Sequence, residues 1–240
     1  MINVILSTYN EAENIIPMLG MLIKTLKGLG VPFLIIVVDG GSSDGTPRIV
    51  KNLRLSYVMV IEERCKSGLG KSYLKGLKYC KYEYTIILDA DLQHDPFFIT
   101  QFFKLANSPE KYDIVTGTRY AQSGMVSRWS FVRRFLSRFS NNLARYVIGL
   151  KTSDLTGSFR CYRTSVLKIL LAESNCSGFS IQMEAISRAE KKGLKIAEVP
   201  IIFYDRSAGQ SKFGLNEFCL FVKLCSNFIL QSEDGLFDGF

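Results

Sequence analysis

Histidine is almost missing from this sequence: His94 is the only one among 240 residues. That excludes a zinc site built from several histidines, and it leaves any Ser/His/Asp or Cys/His hydrolase a single residue to serve as base. Long apolar runs are missing too. The longest stretch without a charged residue, 28–38, falls well short of the ~18 residues a membrane-spanning helix needs. The chain is therefore expected to be soluble, with no span of its own and no secretory leader ahead of the apolar pattern that begins at Ile2. Cysteines stand at 65, 80, 161, 176, 219 and 225 without a CxxC pair. Reduced thiols in an intracellular protein are expected, not a disulfide framework.

What is present is a core-forming composition, 47% hydrophobic and 12% aromatic, which excludes intrinsic disorder. At about 150 residues per domain the length allows one or two domains. No internal repeat, low-complexity tract or linker interrupts the sequence, so a single domain over 1–240 is expected, with 215–240 as a terminal helix and tail. The net charge of +8 is unevenly spread. Residues 119–168 hold ten Lys/Arg and one acid, Asp154, leaving 20 basic against 21 acidic residues elsewhere. A basic segment of this kind suits a local anionic ligand or surface, such as a diphosphate or anionic lipid, better than a uniform nucleic-acid coat.

The first half alternates short aliphatic runs with longer helical patterns, the signature of βα units around a mainly parallel sheet. Strands are expected at Ile2–Ser7, Phe33–Val38, Tyr57–Ile61, Tyr84–Leu88 and Asp113–Gly117, with a late one at Ile196–Tyr204. Asn10 with Glu13 resembles a capping box ahead of Ile15, Leu19, Leu22, Ile23 and Leu26. Pro47 suits a helix's first turn, and Asp95-Pro96 opens the next helix by a cap-then-proline pattern. Ser127 to Leu150 reads as one basic amphipathic helix, with Val132, Leu136, Phe139, Leu143 and Val147 on one face and Arg134, Arg138 and Arg145 on another. That stripe either dips toward lipid or packs inward as in an ordinary domain helix. A closing helix at Leu215–Gln231 is apolar over much of its circumference.

The strongest chemical signal is Asp89-Ala90-Asp91-Leu92-Gln93, directly after the strand ending at Leu88. In extended chain, residues two apart project to one side, so Asp89, Asp91 and Gln93 can offer oxygen ligands to Mg²⁺ or Mn²⁺. The same letters also suit solvated turn aspartates. Ser7-Thr8-Tyr9-Asn10-Glu11 ends the first strand and Asp39 the second, so these polar clusters should meet at the carboxyl edge of the sheet, where open α/β sheets bind ligands. Tyr9 offers an aromatic face, and Glu11 and Asp39 offer acceptors for a base or ribose. Ser67-Gly68-Leu69-Gly70-Lys71 lacks the Walker spacing and the third glycine of a dinucleotide fingerprint, which argues against an ATPase or a dehydrogenase. Two basic clusters also follow strands: Thr116 to Arg119, and Asp205 to Lys212. Loops of this kind are either solvated or placed to meet phosphate.

Tyr9-Asn10-Glu11, Val38 through Thr46, Asp89 through His94, Asp154 through Arg160, Gln182-Met183-Glu184, and the stretch from Glu198 to Lys212 together resemble glycosyltransferase family 2. Within it they resemble the members that load mannose onto dolichyl phosphate. The resemblance runs from Ile2 to about Glu217. It implies a GT-A fold, an α/β architecture whose mainly parallel central sheet is flanked by helices, with the basic amphipathic helix after the fifth strand. It also implies GDP-mannose as donor, dolichyl phosphate as acceptor, a divalent ion, and dolichyl β-D-mannosyl phosphate and GDP as products, for protein glycosylation and GPI-anchor synthesis. By position, Asp89, Asp91 and Gln93 would hold Mg²⁺ or Mn²⁺. Thr8, Tyr9, Glu11, Asp39 and Ala90 would line the nucleotide, and Arg119, Arg133, Arg206 and Lys212, with Asp91, would form the catalytic set.

Such an enzyme would work as a peripheral protein at the cytosolic face of the endoplasmic reticulum membrane, with small accessory membrane subunits and no nucleic-acid partner. Two positions depart from the family pattern: Ser7 replaces the usual proline, and Gly40 the usual second aspartate. Both bear on base recognition. A UDP-glucose-dependent polyprenyl-phosphate glucosyltransferase and a non-catalytic nucleotide-binding subunit are the alternatives.

Overall fold

The computed structural model describes residues 1–121, 124–127, 131–174, 178 and 180–205. Each early strand ends at the carboxyl edge of one sheet, and each is followed by a helix. β1 (Ile2–Thr8), α1 (Ile15–Gly28), β2 (Phe33–Asp39), α2 (Thr46–Asn52), β3 (Val58–Glu62), α3 (Leu69–Leu77) and β4 (Tyr84–Asp89) form three successive βα units and a fourth strand. A 3₁₀ turn at Pro96–Phe98, capped by Asp95 Oδ1 on the Phe97 N–H at 2.9 Å, leads into α4 (Ile99–Ala106). β5 (Ile114–Thr118), β6 (Met125–Val126), α5 (Phe131–Ile148), β7 (Arg160–Arg163), α6 (Thr164–Ala172), α7 (Ile181–Lys191), β8 (Ile196–Pro200) and β9 (Ile202–Phe203) follow.

The seven-stranded sheet has the order β3-β2-β1-β4-β7-β5-β8. β1, β2, β3 and β4 are parallel neighbours, and the chain reverses its winding direction between β1 and β4. Register sets Thr8 beside Asp39 and Ser7 beside Asp89, so three polar strand ends share one edge. β7 is antiparallel to both β4 and β5. It was not anticipated from the sequence, where Arg160 reads as the end of a loop motif. The expected late strand divides at Ile201, with β8 in the main sheet and β9 pairing with β6.

Both faces of the sheet are covered, which explains why the strands are continuous apolar runs without polar alternation. Ile2, Val4 and Leu6 pack under α1 and α4, while Ile5, Ile36, Val38 and Ile87 face Tyr73 and Leu77 of α3 and the α6–α7 pair. α3 lies so close to the sheet that a Cβ at Gly76 would stand 3.0 Å from Ile5 Cγ2 and 3.1 Å from Val38 Cγ2. Gly76→Ala is therefore expected to lower unfolding free energy by about 1–3 kcal/mol through overpacking. Urea titration checks it, and an unchanged midpoint would mean that the helix moves off without cost.

Two local expectations change. α1 starts at Ile15 behind Asn14, and Asn10 caps nothing on it; its side chain reaches across to the β2–α2 loop instead. In α5 the apolar stripe faces outward: Phe139, Leu143 and Val147 are exposed, and the side chains of Val132 and Leu136 lie outside the described set. The inward face is made of Ser137, Asn141 and Ala144, fixed by Asn141 Nδ2 donating to Ser153 O at 2.6 Å. The closing helix expected at Leu215–Gln231 lies outside the described residues. No helix among the described residues is long and apolar enough to cross a membrane.

Candidate active site

At the reversal point between β1 and β4, the loops after β1 and β2 are laced into one cradle. Asp39, fully buried at the end of β2, accepts from Thr8 Oγ1 at 2.9 Å and Ser42 Oγ at 2.5 Å through one oxygen. The backbone N–H groups of Gly41 (3.1 Å) and Ser42 (2.8 Å) donate to the other. Asn10, held at φ 54, donates its N–H to Ser42 Oγ and accepts from the Ser43 N–H. Glu11 N–H donates to Thr46 Oγ1, and Ala12 N–H to Asp44 Oδ2. Burial alone would raise the Asp44 carboxyl, but hydrogen bonds from Thr46 and from the backbone of Ala12 hold it below the usual carboxylate range. Gly41, at φ 82, takes a backbone conformation that L side chains rarely adopt, and a Cβ there would crowd Cys65 Cα at 3.1 Å. Lys66 lies over the Tyr9 ring, 5.1 Å from its centroid, and closes one side of the cradle. Thr8 and Asp39, expected to line a nucleotide, thus act first on the shape of this loop. Glu11 is buried and accepts from Asn14 Nδ2 at 2.7 Å.

Asp89 terminates β4 and accepts from Ser158 Oγ at 2.6 Å. The extended geometry expected to align Asp89, Asp91 and Gln93 stops there. Residues 90–93 bend, with Leu92 at φ 61, and Asp91 Oδ1 accepts the Gln93 N–H at 3.2 Å in a tight turn. Gln93 is clamped at both ends to Tyr204: its Nε2 donates to Tyr204 O at 3.2 Å and its carbonyl accepts the Tyr204 N–H at 2.9 Å. Ala90, expected at the nucleotide, has its methyl in the core, so its backbone is what it can offer a ligand.

Asp89, Asp91 and Gln93, the residues expected at a metal, offer two carboxylates and one amide oxygen, the donor type a hard divalent cation takes. Among the described residues no three His, Cys, Asp or Glu side chains form a metal cluster. This partial set fits Mg²⁺ or Mn²⁺, which keep water and take substrate phosphate oxygens alongside one or two carboxylates, and not a fully protein-caged ion.

The third wall is ionic. Arg119, after β5, forms a bidentate pair with fully buried Asp154, Nε to Oδ2 at 2.7 Å and Nη2 to Oδ1 at 2.8 Å, and also reaches Thr156 Oγ1. Its guanidinium carbon lies over the rings of Tyr120 and Phe203, 5.1 and 5.2 Å from their centroids. Burial alone would lower its pKa, but Asp154 carries it above the ordinary value, while Arg119 holds Asp154 below the carboxylate range against the same burial. Arg119, expected at a phosphate, therefore has its charge matched in place and ties β5 to the 154–157 loop.

Beneath that loop lies a residue whose role the sequence does not announce. Arg160 is wholly buried and donates to Thr116 Oγ1, Gln182 O and the carbonyls of Asp154 and Leu155. It holds the segment that carries both Asp154 and Ser158. Its only sequence signal is its place at the end of the Asp154–Arg160 motif. Gln182 in turn donates to the Tyr73 hydroxyl at 2.7 Å.

His94 is buried against Phe159 and Phe203, and neither ring nitrogen meets a hydrogen-bond partner among the described residues. Burial pulls its pKa down to about 4, so it is neutral at pH 7 and packs as an aromatic ring. Burial likewise pushes the Cys161 thiol up to about 12, so neither residue is poised as a base or a nucleophile. Because the unfolded chain takes up a proton near pH 6.5 and the folded one near 4, stability falls as pH drops through that window. In metal-free buffer the loss from pH 7 to 5 is expected to be about 2 kcal/mol from this group. His94→Phe should flatten that part of the profile in denaturant titrations; an unchanged slope would assign it elsewhere.

Arg133 stands on the exposed first turn of α5, 3.4 Å from Asp205 Oδ1. Asp205 follows Tyr204, the residue that clamps Gln93. Arg206 and Lys212, the other expected phosphate contacts, lie outside the described residues.

The family model described as glycosyl transferase family 2 matches residues 3–171. Over 218 residues the chain is 33% identical to a polyprenol monophosphomannose synthase of Mycolicibacterium smegmatis, covering 88% of this chain and 80% of that one. It is 32% identical over 214 residues to a dolichol-phosphate mannosyltransferase of Pyrococcus furiosus, covering 88% of this chain but 58% of the relative. The chain therefore spans somewhat more than half of the archaeal protein. Among solved structures, glucosyl-3-phosphoglycerate synthase from Mycobacterium tuberculosis, in complex with Mn²⁺, UDP-glucose and phosphoglyceric acid, superposes with a TM-score of 0.67 at 16% identity, over 96% of this chain and 79% of that one. S. aureus TarS 1–349 superposes at 0.61 and 20% identity, over 95% and 65%. At such identities the structural likeness speaks for the GT-A architecture alone. The family match, the relatives and the sheet with its carboxyl-edge site agree: this chain is a member of glycosyltransferase family 2.

Proposed function

We propose that the protein is an inverting mannosyltransferase that moves mannose from GDP-mannose to a dolichyl-type polyprenyl phosphate, giving the β-D-mannosyl phosphate lipid and GDP. The observation that carries this reading is the 33% identity over 218 residues to a polyprenol monophosphomannose synthase. A carboxylate-bearing turn beside the loop cradle at the sheet reversal supports it. The cradle of Asp39, Ser42 and Asn10 positions the nucleoside, with Tyr9 under Lys66 as an aromatic wall. Asp89, Asp91 and Gln93 would hold Mg²⁺ or Mn²⁺, which offsets charge on the departing diphosphate when bound.

The acceptor phosphate is already ionised at pH 7, so attack on the anomeric carbon needs no dedicated base, in keeping with a neutral, buried His94. Arg119 acts as a positioning residue through Asp154, while Arg133, Arg206 and Lys212 supply cationic partners for phosphate. We extend the reading to protein glycosylation and GPI-anchor synthesis at the cytosolic face of the endoplasmic reticulum membrane, with small accessory membrane subunits. A second reading is glucose transfer from UDP-glucose: Gly40 stands where the family pattern has an aspartate, a departure that bears on base recognition and so on the donor.

Radiolabel transfer into organic-extractable lipid separates the two readings. Mannose from GDP-mannose is expected to transfer to dolichyl phosphate with Mn²⁺ or Mg²⁺ and to stop with chelator. Transfer from UDP-glucose alone would overturn the donor, and no transfer despite nucleotide binding would point to a missing membrane subunit or to a non-catalytic role.

A further inference from the structure

The hydrogen bond between Ser158 and Asp89 joins two strand ends that lie 69 residues apart in sequence. β4 and β7 pair antiparallel with Ile87 opposite Arg160, so two residues beyond that pair Asp89 faces Ser158 across the mouth of the ladder. At 2.6 Å from Ser158 Oγ to Asp89 Oδ2, the bond has the length of a hydroxyl donating to an ionised carboxylate. The chain on both sides of that hydroxyl is fastened. Upstream, Gly157 N–H donates to Asp154 Oδ1 at 3.0 Å, and the Arg160 guanidinium donates to the carbonyls of Asp154 and Leu155. Downstream, the Phe159 carbonyl accepts the Gly117 N–H at 2.9 Å, and the Phe159 ring is buried against Phe102 at 4.6 Å between centroids. Ser158 itself is 7% exposed, so its donor is set on Asp89 Oδ2 before any ligand arrives.

We infer that Ser158 is a positioning residue that sets which divalent ion the aspartate turn accepts, favouring Mg²⁺ or Mn²⁺ over Ca²⁺. The inference rests on Asp89 as a metal ligand, proposed above, and adds the residue that governs the choice of ion. Ca²⁺ takes about six to eight oxygens in flexible geometry and often grips a carboxylate by both of them. Mg²⁺ and Mn²⁺ prefer an octahedron, whose right angles the short bite of a carboxylate does not match, so one oxygen per carboxylate suits them better. For Asp89 to chelate through both oxygens it must give up the Ser158 hydroxyl, whereas binding through one leaves that bond intact. The rest of the turn is equally stiff: Asp91 Oδ1 accepts the Gln93 N–H, and Gln93 is clamped to Tyr204 at side chain and backbone. It widens around a larger ion only by breaking these bonds.

The test is Mn²⁺ binding to the full chain, read as loss of the free-ion spin-resonance signal with GDP and separately with UDP present, followed by displacement with Ca²⁺. Ser158→Ala removes only the hydroxyl. It is expected to weaken Mn²⁺ binding about tenfold, the usual effect of losing a partner that orients a metal ligand. Ca²⁺ binding should weaken far less, so the preference for Mn²⁺ narrows by nearly the same factor. Nucleotide affinity in chelator should match wild type, which checks that the variant is folded. Thr156→Ala removes a second hydroxyl from the same loop, one that accepts from Arg119, and should leave the ion preference as it is. The inference is overturned by wild type that binds no Mn²⁺, by Mn²⁺ and Ca²⁺ affinities that fall together or stay unchanged in Ser158→Ala, or by an equal shift in Thr156→Ala, which would make loop order the cause. Failure of the mannosyltransferase reading looks different: wild type that transfers no mannose, yet whose ion preference narrows in Ser158→Ala, supports the inference and refutes that reading.

Discussion

Asp91→Asn is expected to reduce mannose transfer by roughly three orders of magnitude while leaving the protein folded. The substitution is isosteric, and an asparagine Oδ1 can still accept the Gln93 N–H that shapes the turn. What it removes is one negative charge from a donor set that holds two. Divalent ions bound largely through water and substrate oxygens depend on those few carboxylates. Nucleotide affinity in chelator should be unchanged, because the cradle around Asp39 is built from other residues. The gain in nucleotide affinity on adding Mn²⁺ should disappear. Calorimetric titration of GDP with and without Mn²⁺, alongside the transfer assay, reads both quantities. Full turnover by the variant would remove Asp91 from the metal site and leave it a turn-forming residue.

The second large effect is on stability. Asp154→Leu strips a buried guanidinium of its partner, since Arg119 meets Asp154 through two side-chain bonds and one from its own N–H. Breaking a buried pair from one side costs about 3–5 kcal/mol, or roughly 10 °C in Tm for a chain of this size. Removing both charges in Asp154→Leu/Arg119→Met should recover much of that loss, because well-packed apolar replacements of buried pairs are often neutral. Activity should separate the two roles: if the pair orders the 154–158 loop for catalysis, the double variant regains Tm but not kcat. Recovery of both would reduce the pair to a fold element. Calorimetry on the single and double variants, with kinetics on the same samples, decides between them.

The parallel half of the sheet and its carboxyl-edge site were legible because each strand there is a continuous aliphatic run ending in turn residues, and fully covered strands leave that pattern. Asp39 and Asp89 were placed for the same reason, as the first polar residue after each run. β7 was illegible: Arg160-Cys161-Tyr162-Arg163 has arginine at both ends, and no residue pattern announces a guanidinium satisfied wholly by protein oxygens. Leu92 escaped for another reason, since a branched aliphatic residue at positive φ is the conformation its side chain disfavours, and surrounding contacts impose it. The Asn10–Glu13 box failed because a short polar side chain can serve a helix end or a neighbouring loop, and Asn10 found Ser43 across the sheet edge. The two possible orientations of α5 were equal on periodicity, which gives the width of a stripe but not which side meets the domain; Asn141 settles it.

The antiparallel placement of β7 has a consequence for biosynthesis. β1 to β4 can pair while the chain is still emerging, since their contacts are closed by residue 89. β5 joins them only through β7, so it stays unpaired with them until residues 160–163 arrive to bridge Ile86 and Val115 at Cys161, and β8 adds to β5 later still. Ser158, which bonds Asp89, arrives on the same stretch. A ribosome-bound chain short of that point therefore carries the aspartate turn without its hydroxyl partner. The joining of the two halves of the sheet and the capture of Asp89 by its hydroxyl partner therefore become one late, long-range event.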